Sequence, residues 1–407
     1  MNMTVAIRRA ALAFLVALGA ASAAYAGAPK HIFVIMMENH GYEEIIGNTV
    51  DAPYINKLAA RSALATRYFG VTHPSLPNYL AAVSGDYQGI WDDAAAGASI
   101  TSAPEEWIIG SGDSTDGPYL SDAQIATASA IPHWFTGQTL VDELQASGYS
   151  WKAYMQQMPP GPAGHDAVYA PVVNGTLVKL YAQKHNPFEY FAGLHGSANI
   201  VPFEQNFAAD LASGKVANFV WISPDQCHDM HGVGNGDVVG LPQCTYPPAG
   251  LDQGAIQLGD QFLESTVQAI TRSRVWQSEA SAIVIVWDED DYTGIAGCCG
   301  SPTGQGTAEA GSGYTNLSGY TLGGSRVPLI VLTSGSGQDS GSSWSRLWGG
   351  PGGGQAPVRF NGPANHYTLL ATLQAIYGLP CLGNTCKVPQ SALLTPMFGE
   401  QAAVMMH

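Results

Sequence analysis

Ser75 is the residue of this sequence whose type and setting best suit nucleophilic chemistry on an anion. It lies in the stretch VTHPSLPNYLAAVSG, Val71 to Gly85, between two prolines. The apolar spacing after Ser75 predicts a short helix that begins near it. Backbone N–H groups and the helix dipole favour a negative group at such an N-terminus. The alternative is that Ser75 only caps the helix, with Pro77 tolerated in the first turn.

Carboxylates follow several apolar runs that predict buried strands. Continuous rather than alternating hydrophobicity is typical of strands covered on both faces of a parallel sheet. The four runs are His31 to Met37, Asn218 to Ile222, Ala282 to Trp287 and Val327 to Thr333. In an open α/β sheet, ligands bind beyond the carboxyl ends of the strands. Three of the four runs are followed there by acidic residues, in the segments 38–40, 223–231 and 288–291.

Each acidic segment also has a structural interpretation. Glu38 and Asn39 could cap a following helix, and the run 288–291 could be a solvated turn. The segment 228–231 holds two histidines and an acid, which favours metal ligation or proton transfer. Because oxygen ligands dominate, the set favours Mg²⁺, Ca²⁺ or Mn²⁺, and participation of the histidines would favour Zn²⁺.

The elements that must position these residues alternate along the chain, which predicts an α/β sandwich with a mostly parallel central sheet flanked by helices. The predicted helices are Ala52 to Ala63, Thr139 to Ser147, Asp252 to Thr271 and Tyr367 to Tyr377. Gly/Ser-rich stretches near 294–325 and 334–362 predict long loops. We expect one domain from residue 27 to residue 407.

Residues 1–26 are typical of a secretory signal peptide. Arg8 and Arg9 precede an apolar run, and Ala24-Tyr25-Ala26 forms a small-residue cleavage site. The arginine pair fits the twin-arginine export pattern only loosely. The apolar run is too short for a membrane anchor, and no later stretch could span a bilayer. We therefore expect a secreted or periplasmic protein with no stable membrane anchor.

Composition disfavours a polyanion-binding role. The chain has 32 acidic and 16 basic residues among 407, and a formal net charge of -16. Such a surface repels nucleic acid and anionic membranes. In an exported chain, six cysteines indicate disulfides rather than a thiol nucleophile. Cys227 with Cys244, and Cys381 with Cys386, could close local loops, whereas a bridge between the adjacent Cys298 and Cys299 is strained, so these two are expected to pair elsewhere.

Taken together, the motifs of this chain resemble a known family. The motifs are IMMENHGYEEIIGN with APYINKLA, THPSLPNYLAAVSG, KHNPF, ISPDQCHDMHG, VWDE and NHYTLLATLQAIYGL. Over nearly the whole mature chain they are similar to the phosphoesterase family of acid phosphatases and phosphatidylcholine-type phospholipases C, within the alkaline phosphatase superfamily. The first motif reads ENHGYEE where the phospholipase branch resembles ENRSFD, which favours the phosphatase branch.

The resemblance implies roles for individual residues. Ser75 matches the nucleophile, and one divalent metal ion is expected among Glu38, Asn39, Ser75, Asp288 and Glu289. Histidine-bearing motifs imply that His185, His228 and His366 contact phosphate or protonate the leaving group. Asn39, Asn78, His185 and His228 are expected to bind substrate. Asp229 and His231 are expected only as neighbours.

These groups predict a metal-dependent acid phosphatase that hydrolyses a small phosphate ester through a phosphoserine intermediate. If imidazolium is needed, activity should be greatest on the acid side of neutrality. One alternative is a phospholipase C or other phosphodiesterase with the same nucleophile. A sulfatase is disfavoured, because the segment modified in sulfatases is absent around Ser75. A non-enzymatic secreted glycan-binding protein would leave the acidic strand ends unexplained.

Overall fold

The computed structural model describes residues 28–97, 122–233, 242–244, 253–291, 294–303, 321–334 and 357–399. The predicted signal peptide at 1–26 lies outside the described residues, as do the central parts of both predicted Gly/Ser-rich loops. All the site residues predicted from the sequence lie within the described ranges.

A central sheet forms the middle of the fold, and a separate two-stranded hairpin lies beside it. The strands of the central sheet are β1 His31–Met37, β2 Ala63–Phe69, β3 Trp151–Met155, β6 Ile200–Pro202, β7 Phe219–Ser223, β8 Ser281–Trp287, β9 Arg326–Thr333, β10 Arg359–Phe360 and β11 Ala364–Asn365. The hairpin strands are β4 Tyr169–Val173 and β5 Thr176–Ala182. All four predicted strands form, each within one residue of its predicted ends.

The strand order in the described part of the chain is β10-β2-β9-β8-β1-β7-β3-β6, with β11 also pairing with β2. Strand β1 is parallel to both β7 and β8. The carboxyl ends of these three strands therefore meet at one edge, as the sequence predicted. The fourth predicted strand, β9, is antiparallel to β8 and β2, so its beginning rather than its end lies at that edge.

Ten helices can be described in the ranges given above. They are α1 Tyr42–Ile45, α2 Pro53–Arg61, α3 Ser75–Ser84, α4 Asp122–Ser129, α5 Leu140–Ala146, α6 Pro162–His165, α7 Phe203–Ser213, α8 Gln253–Arg272, α9 Arg274–Ser278 and α10 His366–Tyr377. Helices α3, α5 and α10 pack against one another, and α2, α7, α8 and α9 form a second packed group. The four predicted helices are confirmed within two residues at each end, and the α/β sandwich is confirmed.

Burial explains why the central strands read as continuous apolar runs. Every residue of β1, β7 and β8 is buried. A strand with helices on both faces has no side that faces water, so the alternation of a half-exposed strand is absent. This rigid, dry centre fixes the ends of β1 and β8, and with them the first residues of the loops that follow.

All six cysteines are paired. The predicted Cys227–Cys244 and Cys381–Cys386 bridges are present. The expectation that Cys298 and Cys299 pair elsewhere was wrong, because they bridge to each other. The other four cysteines close local loops of their own, and Cys299 adopts the left-handed backbone conformation, with φ of 57°, within the turn that joins the pair. Among the described helices, none combines the length and the apolar character that crossing a membrane requires.

Candidate active site

The ends of β1 and β8 bring two predicted acidic groups into one buried cluster. Met37 and Trp287 are in register at the last position of the two strands, so Glu38 and Asp288 emerge side by side. The backbone N–H of Asp288 donates to Met37 at 3.0 Å, and that of Asn39 donates to Asp288 Oδ1 at 3.2 Å. Both acids are fully buried.

Ser75 points into this cluster. It is the first residue of α3 and is buried. Its hydroxyl donates to Glu38 Oε2 at 2.8 Å and lies 3.3 Å from Glu289 Oε1. The helix cap position is taken by Pro74, whose side chain makes no capping bond. The interpretation of Ser75 as a plain cap is therefore not supported, because the hydroxyl serves the carboxylates instead.

The first turn of α3 is already occupied by a carboxylate that sequence reasoning missed. The backbone N–H of Leu76 donates to Asp93 Oδ1 at 2.9 Å. The other oxygen of Asp93 accepts from Lys184 Nζ at 2.8 Å. The helix N-terminus thus holds an anion supplied by the chain itself. This terminus therefore attracts negative charge, as expected. The charge belongs to the side chain of Asp93 and not to a bound ligand.

Lys184 is the second group that the sequence did not reveal. Its ammonium lies 3.5 Å from Ser75 Oγ and 3.0 Å from His231 Nε2, in addition to its bond with Asp93. The residue is only 8% exposed. Lysine is seldom buried without a partner. Its position one residue before the predicted His185 was the available signal.

Asn78 supports the loop before Ser75 rather than facing substrate. Its side-chain oxygen accepts from Val71 and Thr72 at 2.8 and 3.1 Å. Its amide nitrogen donates to Thr72, Pro74 and Glu289 at 2.6, 3.1 and 3.2 Å. These bonds use its hydrogen-bonding capacity, so the predicted substrate contact does not fit this position.

His185 lies against the opposite oxygen of Glu38. Its Nε2 is 3.2 Å from Glu38 Oε1, and its Nδ1 is 3.0 Å from Asp229 Oδ2. The ring stacks on Tyr79 with centroids 5.3 Å apart. Burial, followed by the nearby Lys184 charge, holds the pKa of His185 well below its usual value. A neutral imidazole at neutral pH follows, not the imidazolium that the predicted acid optimum assumed.

His366 is behind the site. Its Nε2 donates to the backbone oxygen of Asp288 at 2.6 Å, and its Nδ1 lies 2.9 Å from the Tyr68 hydroxyl. Burial lowers the pKa of His366 to about 4, and the Asp288 carbonyl opposes this shift. Both ring nitrogens are used. The structure therefore places His366 as a support for Asp288, and not as the phosphate contact or proton donor that the resemblance implied.

His228 also departs from the prediction. Its Nδ1 lies 2.9 Å from Asp225 Oδ1 and its ring lies against Phe262, with centroids 5.7 Å apart. None of its contacts in the described part of the chain involves Ser75 or the acidic cluster. The same segment reaches the site instead through Asp229 and His231, which the sequence had suggested only as neighbours.

His73, two residues before Ser75, supplies a second cation. Its Nδ1 is 2.6 Å from Glu289 Oε2, and its Nε2 is 3.2 Å from Asp290 Oδ1. Burial disfavours the charged ring, but Glu289 and Asp290 outweigh burial and raise the pKa of His73 to about 10. The ring is therefore an imidazolium at neutral pH. The signal available was its place inside the THPSLPN motif.

The carboxyl groups around Ser75 are crowded enough to resist ionisation. Burial raises the pKa of Glu38 to about 8, Lys184 opposes the shift, and Glu289 adds to it. Burial likewise raises the pKa of Glu289 to about 7, against the effect of His73. The pKa of Asp288 is raised well above its usual value by burial and then by Glu38 and Glu289. The raised pKa values of these three carboxyl groups indicate that the cluster has more acidic groups than its nearby cations can neutralise.

The donor chemistry fits a divalent cation. Within the described residues, Glu38 Oε1, Asn39 Oδ1 and Asp288 Oδ2 are buried and accept no hydrogen bond. Oxygen atoms of this kind are the ligands that Mg²⁺, Ca²⁺ and Mn²⁺ prefer. Glu38 also lies with His185 and His231 in a group whose potential ligand atoms are all within 4.8 Å of one another, a donor set that suits Zn²⁺.

Comparisons with known proteins find phosphatases among the proteins to which this chain is similar. Among curated proteins, the chain is 23% identical to a phosphatidylinositol-3-phosphatase of Mycobacterium tuberculosis, over 91% of this chain and 83% of that protein. It is 28% identical to a probable acid phosphatase of Kluyveromyces lactis, over 50% of this chain and 39% of that protein. The chain therefore spans well under half the length of that fungal relative.

Among solved structures, a protein in the alkaline phosphatase superfamily from Vibrio parahaemolyticus aligns with a TM-score of 0.43 and 13% identity. The alignment covers 93% of this chain and 72% of that one. The model of the phosphoesterase family matches residues 48–239, a segment that includes Ser75, Lys184 and His231. Over this segment, which is just under half of its length, the chain is similar to the phosphoesterase family, and the matches with phosphatases support a hydrolase that acts on phosphoric esters.

Proposed function

We propose that this protein is a metal-dependent phosphatase of the acid phosphatase type, which hydrolyses small phosphomonoesters through a phosphoserine intermediate at Ser75. The observation that carries the proposal is the Ser75 hydroxyl, 2.8 Å from Glu38 Oε2 and 3.5 Å from Lys184 Nζ in a buried acidic cluster. A serine that only supports a helix has no need of these partners.

Glu38, Asn39, Ser75, Asp288 and Glu289 are the residues that would hold the metal ion. The bound ion would supply positive charge beside Ser75 Oγ and so favour its alkoxide form. Within the described residues, Glu38 Oε1, Asn39 Oδ1 and Asp288 Oδ2 are buried without a hydrogen bond, which supports this assignment. The ion is Mg²⁺, Ca²⁺ or Mn²⁺ if these oxygens alone bind it, and Zn²⁺ if His185 and His231 contribute.

In the first step, Ser75 Oγ attacks phosphorus in line with the leaving oxygen. The Oγ–P bond forms, the bond from phosphorus to the leaving oxygen breaks, and the hydroxyl proton passes to Glu38 Oε2, its hydrogen-bond acceptor, a carboxylate that would be ionised with the metal bound. The leaving oxygen takes a proton from solvent. In the second step, water attacks phosphorus and the Oγ–P bond breaks. Glu38 returns its proton to Ser75 Oγ, one proton of the water passes to solvent, and inorganic phosphate departs with the oxygen of the water.

His73 keeps Glu289 in place during both steps. Its imidazolium is bonded to Glu289 at 2.6 Å, and its raised pKa keeps it charged throughout the working range of the enzyme. We also propose that the phosphatase activity is greatest at acidic pH, as the sequence predicted. It is supported by the curated relative named an acid phosphatase and no longer by His185.

Preference for monoesters is supported by the names of the curated relatives, which are phosphatases. Export is supported by the three disulfides, which are typical of oxidising compartments. We further propose that residues 1–26 are the signal peptide and that residues 27–407 form one domain, secreted or periplasmic.

The test compares p-nitrophenyl phosphate with its choline ester as substrates of the purified mature protein, between about pH 4 and pH 9. We expect turnover of the monoester, loss of turnover with a chelator, and loss in Ser75→Ala. Ser84→Ala is the matched control, since Ser84 lies on the same helix. In the described part of the chain its hydroxyl donates to the backbone oxygens of Leu80 and Asp86 and accepts from Gln88. Undiminished turnover in Ser75→Ala would show that Ser75 is not the nucleophile. Preference for the choline ester over p-nitrophenyl phosphate would show that the protein is a phosphodiesterase.

A further inference from the structure

Lys184 is held rigidly beside the reacting oxygen. It lies in the 3₁₀ turn Gln183–His185, and its ammonium contacts Asp93, His231 and Ser75 Oγ at 2.8, 3.0 and 3.5 Å. Asp93 also accepts from the N–H of Leu76 at 2.9 Å. One carboxylate therefore ties the lysine to the helix that carries the nucleophile.

The loop that carries Asp93 is itself fixed. The N–H of Ala96 donates to Gln183 Oε1 at 3.0 Å, and the carbonyl of Ala94 accepts from the Tyr190 hydroxyl at 3.1 Å. These bonds join the loop to the segment around Lys184. A preorganised donor of this kind stabilises developing charge without reorganising during the reaction.

The contact with His231 bears on how many metal ions the site can take. His231 Nδ1 lies 2.8 Å from the carbonyl oxygen of Gly232, so it must carry the hydrogen. In the neutral ring Nε2 is then the acceptor, and it faces the Lys184 ammonium. A metal ion bound by Glu38, His185 and His231 would need that same nitrogen. The Lys184 ammonium and such a metal ion would therefore compete for His231 Nε2.

We infer that Lys184 is a catalytic residue whose ammonium binds a phosphoryl oxygen of the substrate, and that it takes the place of a second metal ion beside Ser75. This inference rests on the phosphatase function proposed above. The entering phosphoryl group brings negative charge next to Glu38 and Glu289. Lys184 supplies positive charge within reach of Ser75 Oγ, and a hydrogen bond between two charged groups is the strong kind.

The test uses Lys184→Gln, Lys184→Arg and the matched control Lys179→Gln. Lys179 precedes the site on β5 and is exposed, and among the described residues its ammonium lies over the ring of Tyr169. Binding of inorganic phosphate is measured by calorimetry, and turnover of p-nitrophenyl phosphate is measured in parallel. We expect Lys184→Gln to weaken phosphate binding by roughly tenfold to 100-fold, Lys184→Arg to retain part of it because the charge remains, and Lys179→Gln to match the wild type.

Metal content, measured by inductively coupled plasma mass spectrometry, gives a readout independent of activity. We expect one tightly bound ion per chain in the wild-type protein. Two ions per wild-type chain would overturn the inference. This result does not depend on whether Lys184→Gln folds, because it is measured on the wild-type protein. Unchanged phosphate binding in a folded Lys184→Gln would overturn it as well. Absence of turnover in the wild type would instead defeat the proposed function, while calorimetry would still show whether Lys184 binds phosphate.

Discussion

Glu38 connects the two halves of the site at the scale of single residues. One carboxylate oxygen accepts from Ser75, and the other faces His185 at 3.2 Å. Its own backbone N–H donates to Asp229 at 2.8 Å. A single residue at the end of β1 therefore fixes the nucleophile on one side and the segment after β7 on the other. Few other side chains at position 38 could make the contacts with both Ser75 and His185.

The support that His366 gives to Asp288 leads to a first prediction. His366→Ala should weaken metal affinity about tenfold to 100-fold, because residues that orient metal ligands have effects of this size. Metal titration followed by thermal unfolding measures the change. Tyr68→Phe, which removes only the more distant hydrogen bond to Nδ1, should have a smaller effect. Unchanged metal affinity with reduced turnover would mean that His366 contacts substrate after all.

Sequence reasoning identified the residues at strand ends better than those that reach the site from loops. Glu38 and Asp288 could be predicted because each follows a fully apolar run. Lys184 could not, since a lysine is by default a solvated side chain, and its burial depends on Asp93, which is 91 positions away. The resemblance to the family implied a role for His228 and not for His231, and the spacing along the loop does not determine which of these two histidines turns inward.

At the scale of elements, the sheet edge explains the site and also the strands that the sequence did not reveal. Strands β1, β7 and β8 could be predicted because both of their faces are covered. Strand β2 was missed because its apolar run is interrupted by two successive polar residues, Thr66 and Arg67, which are less buried than Ala65 and Tyr68, and β3 is only five residues long. The antiparallel direction of β9 could not be predicted, since an apolar run carries no information on strand direction.

Close packing at Gly70 leads to a second prediction. A Cβ at Gly70 would lie 2.6 Å from the backbone oxygen of Asp288 and 2.9 Å from Gly324 Cα. Gly70→Ala should lower the free energy of unfolding by about 1–3 kcal/mol, as overpacking does, and should weaken metal binding through Asp288. Urea denaturation measures the first effect. Gly193→Ala is the control, because its Cβ would meet no atom of the described residues within 4 Å. Equal stability of the two variants would contradict the packing.

At the scale of the whole molecule, the excess of acidic groups makes stability depend on pH and metal together. Glu38 and Glu289 have pKa values raised to about 8 and about 7 by burial, so the folded, metal-free protein binds more protons than the unfolded chain above the ordinary carboxyl range. His73, with its pKa raised to about 10, adds to this difference above pH 6.5. The stability that these groups contribute is therefore lost as pH rises.

This linkage gives a third prediction, which thermal unfolding can test. Between about pH 6.5 and pH 8 the unfolding temperature of the metal-free protein should fall. The histidines with lowered pKa values, His40, His185, His231 and His366, are neutral in the folded protein. In the unfolded chain they lose their protons near pH 6.5, so they oppose the trend only at the lower end of this range. Added divalent metal should stabilise more at the higher pH, because binding displaces protons from the carboxyl groups. Metal stabilisation that is greatest at low pH would contradict the ligand assignment.

The central claim is that Ser75 carries the phosphoryl group between the two steps. The direct measurement is rapid acid quenching of the wild-type protein during p-nitrophenyl phosphate turnover, followed by peptide mapping by mass spectrometry, with Ser84→Ala and Ser75→Ala processed in parallel. The account predicts one phosphoryl group on the peptide that contains Ser75 in the wild type and in Ser84→Ala, and none in Ser75→Ala. Turnover in Ser75→Ala at the wild-type rate, with no phosphoryl group on that peptide in any sample, would contradict it.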